Sequence, residues 1–299
     1  MNVARDPSEL AEHPRAVAVG TFDGVHLGHR RVLEAAVAAG ELPTVVTFDP
    51  HPRVALGYGV ELLSSLDRRL ELIAAAGIEE ALVVDFDLEL AQLGPEEFAE
   101  RVLRPIGTTT LVAGANFRFG RGRAGDLGLL GRLGFDVRAV PLVDGISSTR
   151  VRDLLRGGEV ARAAQLLGRP AEVEGTVVAG DARGGTLGFP TANLRPEPAL
   201  LVPGYGIYAG VADGHRAAIS IGVNPHYGGR KGVSRLSCST STAISTAADS
   251  RFSSGGACGT SARSRTKPSS SRRSPATWPR RGGLERLPER ASFLRRPHP

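Results

Sequence analysis

From residue 16 to residue 143, short apolar runs alternate with longer stretches whose apolar positions recur every three or four residues. AVAVG (Ala16–Gly20), TVVTF (Thr44–Phe48), ALVVDF (Ala81–Phe86), TLVAG (Thr110–Gly114) and VRAVP (Val137–Pro141) predict buried strands. HRRVLEAAVAAG, SLDRRLELIAAAG and GPEEFAERVLRPIG lie between them and predict amphipathic helices. Two of these end on a glycine, and the third carries Pro95 at a first-turn position. This alternation predicts an α/β domain with a parallel sheet covered on both faces. SSTRVRDLLRGGEVARAAQLLG (Ser147–Gly168) then predicts two short helices broken at Gly157–Gly158.

From Ala171 the pattern changes. EVEGTVVAGD, LGFPTANL, GIYAGVA and RAAISIGV are short, β-rich and separated by Gly and Pro turns, which predicts a small antiparallel barrel. The reading is a first domain over residues 1–168 and an incomplete barrel over 169–230. After about Arg230 the periodicity disappears. The stretch from Ser234 to Ser274 is rich in Ser, Thr, Arg and Ala, so composition predicts a disordered, low-complexity tail over 231–299.

Charge sharpens this division. The chain carries +6, but from Lys231 onward 14 Lys+Arg face 3 Asp+Glu, so a tail at +11 follows a body at −5. A nucleic-acid-binding protein working through that tail is one reading, which steep salt dependence would support. The acidic body and the missing aromatic interleaving speak against it. Both cysteines, Cys238 and Cys258, and the single tryptophan, Trp278, also lie in the tail, so the body has no disulfide or thiolate chemistry. At 41% hydrophobic and 23% charged residues, with no apolar run near the ~20 needed to cross a bilayer, the chain reads as soluble. Its acidic N-terminal stretch is unlike a signal peptide, and a cytoplasmic location without membrane partners is expected.

Candidate chemistry concentrates at the ends of the predicted strands. GTFDGVHLGHR (Gly20–Arg30) follows the first strand and opens the first helix, where an open parallel sheet places its ligand crevice. Gly20 and Gly24 allow a tight backbone approach to phosphate, and the helix start offers free N–H groups. His26 and His29 are three apart, so one helical turn can place both rings on one side, with Gly28 leaving room between. The competing reading has one histidine capping the helix and the other facing solvent.

With FDGxH ahead of it, this HxGH string resembles the HxGH nucleotidyltransferase superfamily, a Rossmann-like fold in which the histidines stabilise charge on ATP phosphates. TFDPHP (Thr47–Pro52), GANFRFGRGRAGD (Gly114–Asp126) and ISSTRVR (Ile146–Arg152) follow in order. Taken together, the four strings resemble the FMN adenylyltransferase module of bacterial FAD synthetases across residues 15–168. That resemblance implies attack of the FMN phosphate on the α-phosphorus of ATP, with Mg²⁺ bridging phosphates. It implies His26, His29 and Asn116 as catalytic residues. It further implies Gly20, Phe22, Asp23, Gly24, Gly28, Ser148, Thr149 and Arg152 around ATP, and Asn116, Phe117 and Phe119 beside the flavin, although either Phe could equally be core.

GDARGGTLGFPTANL (Gly180–Leu194), then GYGIYAG and SIGVNPHYGG, resemble riboflavin kinase. The resemblance implies Gly180 and Gly184 around the kinase's ATP, and Thr191 and Asn193 holding Mg²⁺ and phosphate through oxygen. Riboflavin is then the second substrate, and the oligomeric state stays open. Gly185–Thr186 stands where the family usually has Arg after the first Gly. A larger departure follows. The family continues with a strand carrying a glutamate base, then Leu-Asp-Phe-Asp-Gly-Asp-Leu-Tyr-Gly-Arg, then two helices. This chain reads STSTAISTAA at Ser239–Ala248. Writing the family segment in GC-rich codons and dropping the first base yields this string, so the expectation is a frameshift near Arg230 and an impaired kinase. Two other readings keep the HxGH fold but change the acceptor to pantetheine phosphate or nicotinate mononucleotide; the PTAN string speaks against both.

Overall fold

The computed structural model describes residues 1–178, 191–212, 215–223, 234–240 and 249–254. Two compact units meet between Arg169 and Pro170, with Ala199–Leu201 belonging to the first.

The first unit is built on a six-stranded sheet of β1 (Asn2–Ala4), β2 (Arg15–Val19), β3 (Leu42–Asp49), β4 (Glu80–Asp85), β5 (Thr108–Gly114) and β6 (Asp136–Val140). Every pairing is parallel and the order is β1-β4-β3-β2-β5-β6. The last five strands coincide with the five apolar runs; β1, three residues at the edge, had no run to announce it. The helices are α1 (Leu27–Val37), α2 (Pro52–Ala55), α3 (Leu66–Ala75), α4 (Leu88–Gln92), α5 (Pro95–Phe98, continued by a π turn over Ala99–Leu103), α6 (Leu127–Arg132), α7 (Ser148–Arg156) and α8 (Val160–Leu167). The three longer patterns became α1, α3 and α5 with its π turn, while α2, α4 and α6 are too short to leave a periodic trace.

Alternation along the strands fills two cores. Ala18, Val45, Ala81 and Val112 face α1 and α3 through Val32, Leu33, Ala36 and Ile73. Val17, Val19, Val46, Leu82, Leu111 and Ala113 face the other side, against Phe98, Val102, Leu103, Ile106 and Leu130. The connection leaving β2 therefore goes to one face and the one leaving β5 to the other, which opens a crevice between their carboxyl ends.

At the opposite end of the sheet Arg15 is fully buried. Its Nε and Nη2 each donate to the Glu80 carboxylate at 2.8 Å. Its guanidinium also donates to the carbonyls of Ala11 (2.7 Å), His13 (3.1 Å) and Ile106 (2.7 Å). Arg15→Met keeps the stem and deletes every one of these donors, stranding the buried Ile106 carbonyl and the part-buried Glu80 carboxylate, each at a cost of about 1–3 kcal/mol. A loss of roughly 3 kcal/mol or more in urea denaturation is expected, with little change at the crevice because it lies at the other end of the sheet.

The second unit is an antiparallel barrel of β7 (Ala171–Val178), β8 (Thr191–Pro196), β9 (Gly206–Ala212), β10 (His215–Val223), β11 (Ser234–Thr240) and β12 (Asp249–Ser254). Its closed order is β10-β11-β8-β7-β12-β9. This corrects two expectations. The barrel is complete as a ring rather than incomplete, and two of its strands come from the segment expected to be disordered. The composition argument counted apolar side chains, whereas a ladder is made by backbone groups, and β8, β10, β7 and β9 present edges that need partners. β11 takes register on both neighbours, Ser237 opposite Asn193 and Ser220 opposite Ser237. Gly180, Gly184, Cys258 and Trp278 lie outside the described residues.

Candidate active site

The turn from Gly20 to His26 occupies the crevice at the end of β2. Phe22, Gly24 and Val25 all have positive φ, at 50°, 77° and 37°. A phenylalanine and a β-branched valine in that region carry strain of order 1–3 kcal/mol each, so the surroundings must hold them. Gly24 is required twice over: besides its φ, a Cβ there would come 2.7 Å from Leu63 Cδ1. The Phe22 ring packs into the core, its edge 5.3 Å from His29 between ring centres.

The two histidines meet as the three-residue spacing predicted. His26 is the N-cap of α1, with Nδ1 accepting from the His29 N–H at 3.2 Å. Its ring stacks on His29 with centroids 3.6 Å apart and planes 14° apart. One histidine therefore does cap the helix, as the competing reading held, but the other stacks on it instead of facing solvent. A Cβ on Gly28 would lie 3.2 Å from the His26 ring, so any side chain there would have to push the ring off its place by a few tenths of an ångström. Burial pushes the His26 pKa down to about 4, with the Arg169 and Arg152 charges acting in the same direction. His29 is also held well below the ordinary imidazole range, chiefly by burial and then by His26.

Gly28→Ala separates stability from activity. Ala gains up to about 1 kcal/mol of helix propensity over Gly, while its methyl displaces the His26 ring. Thermal stability is expected to hold or rise while catalytic turnover at this site falls, which paired melting and initial-rate measurements would read.

Beneath the turn lies an ionic cluster that the sequence did not announce. Asp23, 2% exposed, accepts from the Leu63 N–H at 2.9 Å and pairs with the Arg152 guanidinium. Arg152 also donates through Nε to the Glu61 carbonyl at 2.8 Å. Arg69, equally buried, donates to the carbonyls of Thr21 (2.9 Å) and Phe48 (3.0 Å), joining the ends of β2 and β3. Burial pushes the Asp23 carboxyl up from its ordinary value, opposed by Arg152, the Leu63 N–H and Arg69. Burial likewise lowers Arg69. His51 of the TFDPHP string caps α2 through Nδ1, at 3.1 Å from the Arg53 nitrogen, and burial depresses it to about 4.

His26, His29 and His51 are thus neutral in the fold while their unfolded counterparts titrate near 6.5. Between those values the unfolded chain binds more protons, so stability rises with pH there. Unfolding free energy is expected to fall as pH drops below about 6.5, which urea titrations at stepped pH would record.

Several of the expected site residues have partners within the fold. Arg152 and Asp23, expected around ATP, are bound to each other below the turn. Ser147 caps α7, accepting from the Arg150 N–H at 3.1 Å. The Ser148 hydroxyl donates to the Asp23 carbonyl at 3.0 Å, which joins α7 to the turn, and Thr149 is exposed. After β5, Asn116 is exposed at the start of its loop. Phe119 is a core residue: 8% exposed, stacked on Phe117 at 5.6 Å and tilted against Phe98 at 5.7 Å. Phe117 is half-buried and remains the better candidate for a flavin wall. In the barrel, Asn193 is buried two positions beyond Thr191 in β8. Among the described residues no group of three or more His, Cys, Asp or Glu could hold a metal ion, and no helix is long and apolar enough to cross a membrane.

Comparison with known proteins agrees with both units. The family profile described as FAD synthetase matches residues 8–152, and that described as riboflavin kinase matches residues 167–240. The bifunctional riboflavin kinase/FMN adenylyltransferase of Listeria monocytogenes is 39% identical over 215 residues, 67% of this chain and 68% of that protein. Its counterpart in Escherichia coli K12 is 36% identical over 227 residues, 70% of this chain and 72% of that protein. The chain belongs to the bifunctional riboflavin kinase/FMN adenylyltransferase family. A crystal structure described as a macrolide-efflux protein from Streptococcus pneumoniae superposes with a TM-score of 0.74 at 27% identity, covering 84% of this chain and 88% of that one. Within the family frame, the crevice of the first unit is the adenylyltransferase module and the barrel is the flavokinase module, so the chain carries the enzyme folds of FAD biosynthesis.

Proposed function

We propose that the first unit transfers AMP from MgATP to FMN, giving FAD and pyrophosphate. A phosphate oxygen of FMN attacks the α-phosphorus, the bond to the bridging oxygen of the β-phosphate breaks, and pyrophosphate leaves with the electron pair. Such chemistry depends on positioning and electrostatic stabilisation rather than covalent help. The observation that carries this reading is the stacked His26–His29 pair at the start of α1, at the switch point of the sheet. The α1 N-terminus and the two rings receive the triphosphate, Asn116 contacts the reacting phosphates, and Thr149 approaches the β- and γ-phosphates from α7. Arg152 and Ser148 act first by holding the turn through Asp23. Mg²⁺ enters with ATP, since Asp23 is committed to Arg152.

For the barrel we propose descent from riboflavin kinase with the kinase step impaired, Thr191 and Asn193 being the residues expected to take Mg²⁺ and phosphate. The support is the string from Ser239, which matches a frame-shifted reading of the family segment and begins where the riboflavin kinase match ends, at residue 240. No glutamate stands between Arg230 and Ser239, where the family carries its base ahead of that segment. Resequencing codons 225–250 tests the frame; an uninterrupted frame encoding this tail would rule out a sequencing error. Three expectations from the sequence remain proposals: a domain limit at 168, a cytoplasmic location, and no nucleic-acid partner. Relatives named for FMN disfavour pantetheine phosphate and nicotinate mononucleotide as acceptors.

The test is incubation of the purified chain with MgATP and either FMN or riboflavin, with products read by chromatography. FAD from FMN and no flavin product from riboflavin is the expected result. FAD from riboflavin would overturn the impairment, and none from either would overturn the assignment of FMN as acceptor.

A further inference from the structure

The nucleotide site meets an anion with two histidines, and the usual assumption would make them cations. The geometry points elsewhere. His26 Nδ1 already accepts the His29 N–H at 3.2 Å, so a proton on Nδ1 would set two donors against each other and undo the cap of α1. The imidazole's single proton therefore belongs on Nε2, the one ring nitrogen left to donate. His29 Nδ1 is buried with no hydrogen-bond partner, so a ring protonated on both nitrogens would hold one N–H unsatisfied. The stacked rings lie 3.6 Å apart, a separation at which two imidazolium charges repel across little solvent. Both sit at the N-terminus of an eleven-residue helix, whose dipole favours anions and disfavours cations.

We propose that the His26–His29 pair works with both rings neutral, His26 in the Nε2–H tautomer, donating a hydrogen bond to the triphosphate rather than a charge. The proposal rests on the reading of this crevice as an ATP site. The charged neighbours agree with it. Arg152 from α7 and Arg169 beyond α8 both bear on His26, and His26 bears on His29. The Asp23 carboxylate in the same turn is occupied by Arg152. Fixed positive potential then comes from the α1 dipole and the buried arginines. The histidines supply direction, and binding of the nucleotide takes up no proton at either ring.

The test is ¹⁵N NMR of the histidine side chains in the full chain at pH 6.5, free and saturated with Mg²⁺ and α,β-methylene-ATP. His26 and His29 are identified by the signals lost in His26→Asn and His29→Asn. The expected spectrum has one protonated and one bare nitrogen on each ring in both states, with the proton of His26 on Nε2. Two protonated nitrogens on either ring, free or bound, would overturn the proposal, and so would an Nδ1–H tautomer at His26. If the analogue does not bind, the ATP-site reading fails, while the free-protein spectrum still decides the protonation state.

Discussion

His26→Ala is expected to lower the FAD-forming kcat by about 10²–10³-fold, the usual cost of removing one preorganised donor from a developing anion. The same substitution deletes the cap of α1, which is worth about 1 kcal/mol. The two effects separate in His26→Asn. Asparagine restores an oxygen acceptor at the N-cap, so its melting temperature should return toward that of the parent. Its short amide does not reach where Nε2 stood, so most of the rate loss should remain. Initial rates with saturating FMN and MgATP, set beside thermal melts, read both quantities. A His26→Ala protein with full activity would remove the histidine pair from the chemistry and leave α1 as the phosphate site by itself.

Arg152→Met is expected to cost about 3–5 kcal/mol of stability, because deleting one partner strands the other as a buried, uncompensated charge. Asp23 is 2% exposed, and without the guanidinium its carboxylate keeps the Leu63 N–H and the more distant charge of Arg69. The turn carrying Phe22, Gly24 and Val25 in strained backbone would relax with it. Adding Asp23→Asn to Arg152→Met should recover part of the lost stability, since the buried charge is gone, while activity stays low. A phosphate-binding arginine predicts a different outcome: unchanged urea midpoints, a raised KM for ATP, and no rescue by the second substitution. Equilibrium denaturation of the single and double variants separates the two roles.

Much of this protein could be read before any fold was known, and the residues show why. The five strands of the parallel core were legible because strands buried on both faces are near-continuous apolar runs. The His26–His29 pairing followed from three-residue spacing on a helix, and the two units from a change of period near Gly168. The partners of Arg152 were not legible, for the opposite reason. Position within ISSTRVR gives residue type and neighbourhood, but the direction of a long side chain depends on what packs above it. Arg69 and Glu61 lie 48 and 91 residues from the groups they contact, and nothing in their local pattern marks them.

By itself the sequence determined what local chemistry and periodicity determine: the strand and helix order, the parallel sheet, the glycine-rich turn that opens α1, and the family those strings resemble. Tertiary structure alone decided three further things. It closed the barrel with β11 and β12, because ladder hydrogen bonds are made by backbone and do not require an apolar sequence. It turned Asp23 and Arg152 into a buried tether, because a charge withdrawn from water must find its partner wherever the fold brings one. It also brought the two imidazoles into contact over Gly28, where the cap of α1 leaves His26 a single nitrogen with which to donate.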